Sequence, residues 1–225
     1  MKSIIINYKA YKEGIDKGLS IAMAANEAAE KTGVEIITAP QFTLLKEISK
    51  ITKTIAQGVE GVEPGPFTAH ITWYEIKKSG AAGTLINHSE KRFAHSKSGQ
   101  LNYGALRKAI ELCKQNLLET YVCVRNLQEA KKVTDMNPTA IAYEPPELIG
   151  GNVSVSTAKT EIVKEFCELV KSSSNSKPLI GAGIKTAEDV KSSVKLGSEG
   201  ILVASGVIKT NNFKKAINEL VKPLA

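Results

Sequence analysis

The sequence predicts an α/β protein, a closed (β/α)8 barrel with residues 1–225 as a single domain. Three observations carry this. Short runs that are apolar on both faces alternate with amphipathic segments of helical period through the whole chain. Eight such units can be counted. Polar or small residues gather just after strand upon strand. An open doubly wound sheet would alternate too, so counting does not separate the two folds. The strand ends do, because a barrel collects chemistry at the C-terminal ends of many strands, whereas an open sheet concentrates ligand contacts at one switch point.

The expected strands are Ile4–Ile6, Val34–Thr38, Thr54–Gln57, Thr84–Ile86, Tyr121–Val124, Ala140–Tyr143, Leu179–Ile180 and Ile201–Val203. Each is brief and lacks polar alternation, as suits a parallel strand covered on both sides. Between them, Leu106, Ala109, Ile110 and Cys113 recur at helical spacing, as do Ile162, Val163, Phe166, Cys167 and Val170, and then Phe213, Ala216, Ile217 and Leu220. Thr186-Ala187-Glu188-Asp189 places a hydroxyl and a carboxylate at the offset of a capped helix start. The serine-rich stretch from Ser172 to Ser176 reads as a helix-to-strand connection rather than a domain linker.

Composition narrows the function. The chain has 225 residues, 42% of them hydrophobic and 24% charged, close to the roughly 250 residues of a single barrel domain. No segment reaches the ~18 unbroken apolar residues of a membrane span. The apolar run Ile4-Ile5-Ile6 meets Asn7 at once, too short for a secretory signal. The expectation is a cytoplasmic protein. The net charge is +7, but the lysines are scattered and form no block of five. Nucleic acid and membrane are therefore not expected partners, while attraction of a small anionic substrate is. Cys113, Cys123 and Cys167 make no CxxC pair and read as reduced, buried thiols with no disulfide or metal site.

The strand ends supply the chemistry. Glu144 closes Ala142-Tyr143-Glu144-Pro145-Pro146; a carboxylate leaving a buried strand is partly withdrawn from water, a setting suited to a base. Prolines stiffen the chain after it and Gly150-Gly151 loosen it again, the pattern of a loop that closes as a lid. His88 follows the fourth strand with Asn87, Ser89 and Glu90 as possible hydrogen-bond partners, and a following turn could aim amides at the imidazole and keep it neutral. His70 and His95 lack such a setting and read as surface histidines. Lys9 lies two residues after Asn7, so alternation along an extended chain would put both on one side. A lysine there can stabilise an oxyanion or meet a phosphate. After the last two strands, Gly183, Ala204 and Ser205 are small enough for their amides to approach a phosphate. Neither the Walker pattern nor GxGxxG appears in its required context.

Asn7-Tyr8-Lys9, Asn87-His88-Ser89-Glu90-Lys91-Arg92, the segment from Ala142 to Gly150, Gly181-Ala182-Gly183-Ile184 and the segment from Gly200 to Gly206 stand in this order at their strand ends. In that combination the chain resembles, over essentially its whole length, the triosephosphate isomerase family, more closely its short archaeal form. The resemblance implies a TIM barrel with no cofactor and no metal. It also implies interconversion of dihydroxyacetone phosphate and D-glyceraldehyde 3-phosphate in glycolysis and gluconeogenesis. Glu144 looks like the base and His88 like the neutral electrophile. Lys9 looks like the cation beside the enediolate, with Asn7 holding it or the substrate. Glu90 and Ser89 would support them. Pro145 to Gly151 would be the lid, with an amide near Ile149 or Gly150 gripping phosphate beside Gly183, Ala204 and Ser205. A homodimer or homotetramer is implied.

The chain also departs from the family pattern. Ala204-Ser205 replaces Gly-Gly, and the lid is Pro-Pro-Glu-Leu-Ile-Gly-Gly. Gln57-Gly58 stands where the family usually has Gln followed by Asn or His, a change expected to weaken support of the Lys9 region. The loop Gly65-Pro66-Phe67-Thr68-Ala69-His70 carries Ala69 where the family's interface loop has its second glycine. Two other readings stay open. One is a different phosphate-binding barrel enzyme of sugar-phosphate epimerase type, which should lack the Asn-x-Lys, His and Glu set. The other is a non-catalytic phosphometabolite-binding protein.

Overall fold

The structure, a computed structural model, describes residues 2–93, 100–145 and 160–225. In chain order the elements are β1 (Ser3–Asn7), α1 (Lys12–Asp16), α2 (Gly18–Thr32), β2 (Glu35–Ala39), α3 (Phe42–Ile48), β3 (Ile55–Ala56), α4 (Trp73–Lys78), β4 (Gly83–Ile86) and α5 (Tyr103–Gln115). There follow β5 (Glu119–Val124), α6 (Leu127–Thr134), β6 (Ala140–Tyr143), α7 (Thr160–Ser173), β7 (Lys177–Ile180), α8 (Ala187–Lys195), β8 (Gly200–Val203), α9 (Ser205–Ile208) and α10 (Phe213–Val221). The strands are parallel and run in the order β2-β1-β8-β7-β6-β5-β4-β3. The Thr38–Thr54 bridge joins the two ends of that order. There the Thr38 amide donates to the Lys53 carbonyl at 3.0 Å, and the two threonine hydroxyls lie 3.0 Å apart. The sheet thus closes into the expected (β/α)8 barrel. The sheet ladder of β3 holds only two residues, so the expected strand through Gln57 is shorter than its apolar run suggests.

Two apolar layers follow from strand alternation. Ile5, Ile37, Ile55, Leu85, Tyr121, Cys123, Leu179 and Leu202 point into the barrel. Their sequence neighbours, among them Ile4, Ile6, Ile36, Ile86, Val122, Ile141 and Val203, point outward onto the helices. The helical stripes supply the other side of that outer layer: Leu106, Ala109, Ile110 and Cys113 of α5 and Val163, Phe166, Cys167 and Val170 of α7 are all buried. Asn102 caps α5 by accepting from the Ala105 amide. The reciprocal box of Thr186 and Asp189 opens α8, as its sequence predicts. No helix of the described residues is long and apolar enough to cross a membrane.

The N-terminal mouth of the barrel is closed by charge. The Lys53 ammonium stands 2.7 Å from Glu35 and 2.7 Å from Glu119, side chains from the starts of β2 and β5. Burial pulls its pKa down, but the hydrogen bonds to the two carboxylates outweigh this and hold it above the ordinary lysine value. That leaves the opposite mouth, where the strands end, for chemistry.

All three cysteines are buried and unpaired. Burial pushes the Cys113 and Cys167 thiols up to about 12. Burial and the neighbouring Glu144 carboxylate push Cys123 well above the ordinary thiol range. Thiolate is the reactive form. An aromatic disulfide reagent at pH 8 should therefore modify none of the three in the native protein and all three in strong denaturant. Stoichiometric labelling of the native protein would contradict the burial.

Candidate active site

At the C-terminal mouth, Asn7, Lys9, His88, Glu144, Gly183, Ala204 and Ser205 line one pocket. It is also lined by Tyr11, Gly181, Ile184, Lys185, Leu202 and Val203.

Lys9 reaches this pocket by an unexpected route. Its φ is 47°, so the chain after β1 is left-handed rather than extended, and simple alternation does not explain why Asn7 and Lys9 share a pocket. For a non-glycine residue this conformation costs about 1–3 kcal/mol and persists only where neighbours enforce it. Here they do. Asn7 Oδ1 accepts from the Lys9 amide at 2.9 Å. Gln41 and Gln57 both donate their side-chain amides to the Lys9 carbonyl, at 2.6 Å and 3.0 Å. Gln57 donates as well to the Ala39 carbonyl at 3.0 Å. Gln57 is thus one of the supports of this region. The Lys9 ammonium lies 2.9 Å from Glu90 Oε1.

His88 follows a second left-handed residue, Asn87, at φ 63°. Asn87 donates to the Cys123 carbonyl at 2.8 Å and accepts from the Phe93 amide at 3.0 Å, which locks the exit of β4. The chain then makes a tight turn instead of a helix. One amide, that of Glu90, points at His88 Nδ1 at 3.3 Å. Glu90 Oε2 is also 3.6 Å from Nδ1, which on its own would favour a proton there. The amide contact is the shorter, and the Glu90 carboxylate is exposed and already engaged by Lys9. An uncharged ring that accepts at Nδ1 carries its proton on Nε2. Arg92 anchors the end of this turn by donating to the buried Glu129 at 2.6 Å. Ser89 Oγ is buried and has no hydrogen-bond partner among the described residues.

Glu144 follows β6 and is 3% exposed. Its Oε1 stands 3.4 Å from His88 Nε2, while Oε2 has no hydrogen-bond partner among the described residues. A buried carboxylate oxygen left unmatched is costly, and this one belongs to a residue that lines the pocket. Gly181, at the exit of β7, makes the space. A Cβ added there would lie 2.8 Å from Glu144 Cγ and 3.2 Å from Oε1.

The other wall comes from the ends of β7 and β8. Gly183 has φ 70°, which favours glycine. In α9 the Val207 and Ile208 amides are taken by the Ala204 carbonyl, at 3.0 Å each. Those of Ser205 and Gly206 are left outside that pattern, as at any helix start. Ile149 and Gly150, expected in the lid, and His95 lie outside the described residues. Glu90 and Ser89 flank the pocket without lining it. Sequence reasoning missed Gln41, Tyr11 and Lys185; only the position of Tyr11, two residues past Lys9, offered any signal. Among the described residues no group of three or more His, Cys, Asp or Glu could hold a metal ion.

Comparison with known proteins adds to this geometry. The family model described as triosephosphate isomerase matches residues 2–220. The triosephosphate isomerase of Methanocaldococcus jannaschii is 43% identical, over 97% of this chain and 98% of the relative. Those of Methanobrevibacter smithii and Methanothermus fervidus are each 37% identical, over 98% and 97% of this chain and 98% and 96% of the relatives. With the barrel, the pocket at its C-terminal mouth and these likenesses together, the chain belongs to the triosephosphate isomerase family.

Proposed function

We propose that the chain works as one catalytic domain that interconverts dihydroxyacetone phosphate and D-glyceraldehyde 3-phosphate, an aldose–ketose isomerisation. One observation carries the reading: a buried carboxylate, an imidazole and an ammonium line one pocket together with small residues at the ends of β7 and β8.

In this reading Glu144 takes a proton from the carbon beside the carbonyl. The electron pair of that C–H bond forms the carbon–carbon double bond, and the carbonyl pair moves onto oxygen, giving an enediolate. His88 Nε2–H hydrogen-bonds that oxygen and relays a proton between the two oxygens. Glu144 then returns its proton to the neighbouring carbon, so atoms and electrons balance with no external redox partner. This family is itself the standing example of a glutamate base paired with an uncharged histidine. Lys9 stabilises the negative oxygen as it develops, while Asn7, Gln41 and Gln57 keep its backbone in place. Amides around Gly183, Ala204 and Ser205 hold the phosphate. A lid from Pro145 to Gly151, with an amide of Ile149 or Gly150, would exclude water.

A homodimer or homotetramer fits the protruding loop, where Phe67 is 46% exposed and its ring centroid lies 5.0 Å from that of His70. Ala69 in that loop has φ 62°, the conformation a glycine takes at little cost. Three buried free thiols accord with a cytoplasmic setting.

The test is turnover of D-glyceraldehyde 3-phosphate by the purified protein in a coupled assay. Turnover is expected without added metal or cofactor. Folded protein with no turnover would overturn the reading. The Glu144–Gly181 approach gives a sharper expectation. Gly181→Ala should lower kcat by about 10–100-fold through displacement of the carboxylate, with glycerol 3-phosphate affinity changed less than about threefold. Near-native kcat would show that the base does not need this space.

A further inference from the structure

We infer that Glu129 is a positioning residue of the reaction: through Arg92 it fixes the turn that carries His88. The inference deepens the isomerase reading and rests on it.

Glu129 stands in the first turn of α6 and is buried. Its Oε1 accepts from Arg92 Nη2 at 2.6 Å and from Arg125 Nε and Nη2 at 3.3 Å each, and its Oε2 accepts from the Arg125 amide at 2.9 Å. Asn126 Oδ1 accepts from the Glu129 amide at 2.9 Å, so the backbone of the residue is held as well. The two arginines differ in setting. The Arg125 side chain is 37% exposed and can turn to water, whereas that of Arg92 is 11% exposed. Among the described residues Glu129 is the only ion-pair partner of Arg92, whose buried Nε has no hydrogen-bond partner. A guanidinium keeps its charge at any working pH, and a buried charge stripped of its partner is strongly unfavourable. Without the Glu129 carboxylate, Arg92 must leave its place.

That place is inside the turn of His88. Asn87 accepts from the Phe93 amide at 3.0 Å and donates to the Cys123 carbonyl at 2.8 Å, while the His88 carbonyl accepts from the Lys91 amide at 2.8 Å. Residues 87–93 thus form a ring closed by hydrogen bonds, with Arg92 one of its members. A shift of Arg92 passes through this ring to His88. The imidazole has little else to hold it: its polar contacts among the described residues are the Glu90 amide at 3.3 Å and two carboxylates at 3.4 Å and 3.6 Å. Neither Glu129 nor Arg92 lines the pocket. Their contact should therefore act on the proton relay at His88 far more than on phosphate binding.

The experiment compares wild type, Glu129→Gln, Arg92→Gln, the double variant and Lys53→Met, which removes an ammonium paired with two carboxylates at the opposite mouth. Folding is checked by the thermal midpoint. Turnover, glycerol 3-phosphate calorimetry and nitrogen NMR of the histidine rings are then read in parallel, with His88→Gln assigning the His88 signals. Glu129→Gln should lower kcat by about tenfold and shift the His88 ring signals, with glycerol 3-phosphate affinity changed less than about threefold. The double variant should lose no more kcat than the larger single loss, because both substitutions break one contact. Lys53→Met should lower the midpoint but keep kcat within about twofold and leave the His88 signals in place. Near-native kcat or unmoved His88 signals in Glu129→Gln overturns the inference. So do additive losses in the double variant, affinity that falls in step with kcat, or an equal loss of kcat in Lys53→Met. If Glu129→Gln does not fold, the double variant, which strands no guanidinium on the turn, gives the same readings. A wild type without turnover sinks the isomerase reading; shifted His88 signals in Glu129→Gln would then still support the positioning role, and unmoved signals would overturn that too.

Discussion

Glu144→Gln should lower kcat by at least about 10²–10⁴-fold, the range a positioned general base contributes, while affinity for glycerol 3-phosphate stays within a few-fold. The amide keeps the size of the carboxylate but cannot accept the carbon proton. Because Glu144 is 3% exposed and its Oε2 lacks a partner among the described residues, losing the charge removes a desolvation cost. The thermal midpoint should hold or rise. Calorimetry beside the kinetic assay checks this. An unchanged kcat would remove Glu144 from its role, and a lowered midpoint with lost binding would make it structural.

Lys9→Met should have an effect of similar or larger size on kcat/KM, about 10³-fold or more, because it removes a cation that acts on both bound substrate and developing enediolate. Here kcat and KM should both suffer, unlike at Glu144. Stability should change little. The Lys9–Glu90 pair has one partner 60% exposed, and such pairs contribute about 1 kcal/mol or less. The left-handed backbone at Lys9 is held through its main chain by Asn7, Gln41 and Gln57, so it should survive truncation of the side chain. A rise in KM alone would confine Lys9 to ground-state binding.

Much of this architecture was legible in the chain because barrel strands and helix stripes are repeated, apolar and local. Ile4–Ile6 or Leu106–Cys113 carry their burial in their own spacing. The catalytic candidates were legible because carboxylate, imidazole and lysine stand just past strand ends, where packing gives them no other reason to be. What escaped the sequence acts through the backbone or across loops. Gln41 and Gln57 touch Lys9 at its carbonyl, a contact that no periodicity reveals. The left-handed turn at Lys9 replaces the alternation expected after β1 because Asn7 Oδ1 captures the Lys9 amide. The turn at His88 offers one amide where a helix start would have offered several.

The account turns on removal of a carbon-bound proton by Glu144. The most direct measurement is isomerisation of D-glyceraldehyde 3-phosphate in D2O, followed by proton NMR of the dihydroxyacetone phosphate formed. Wild type should turn over quickly, with deuterium on the receiving carbon in those turnovers where the Glu144 proton exchanges before it is returned, and Glu144→Gln should produce almost no product. Undiminished turnover, or undiminished exchange of the carbon-bound proton, in Glu144→Gln would contradict it.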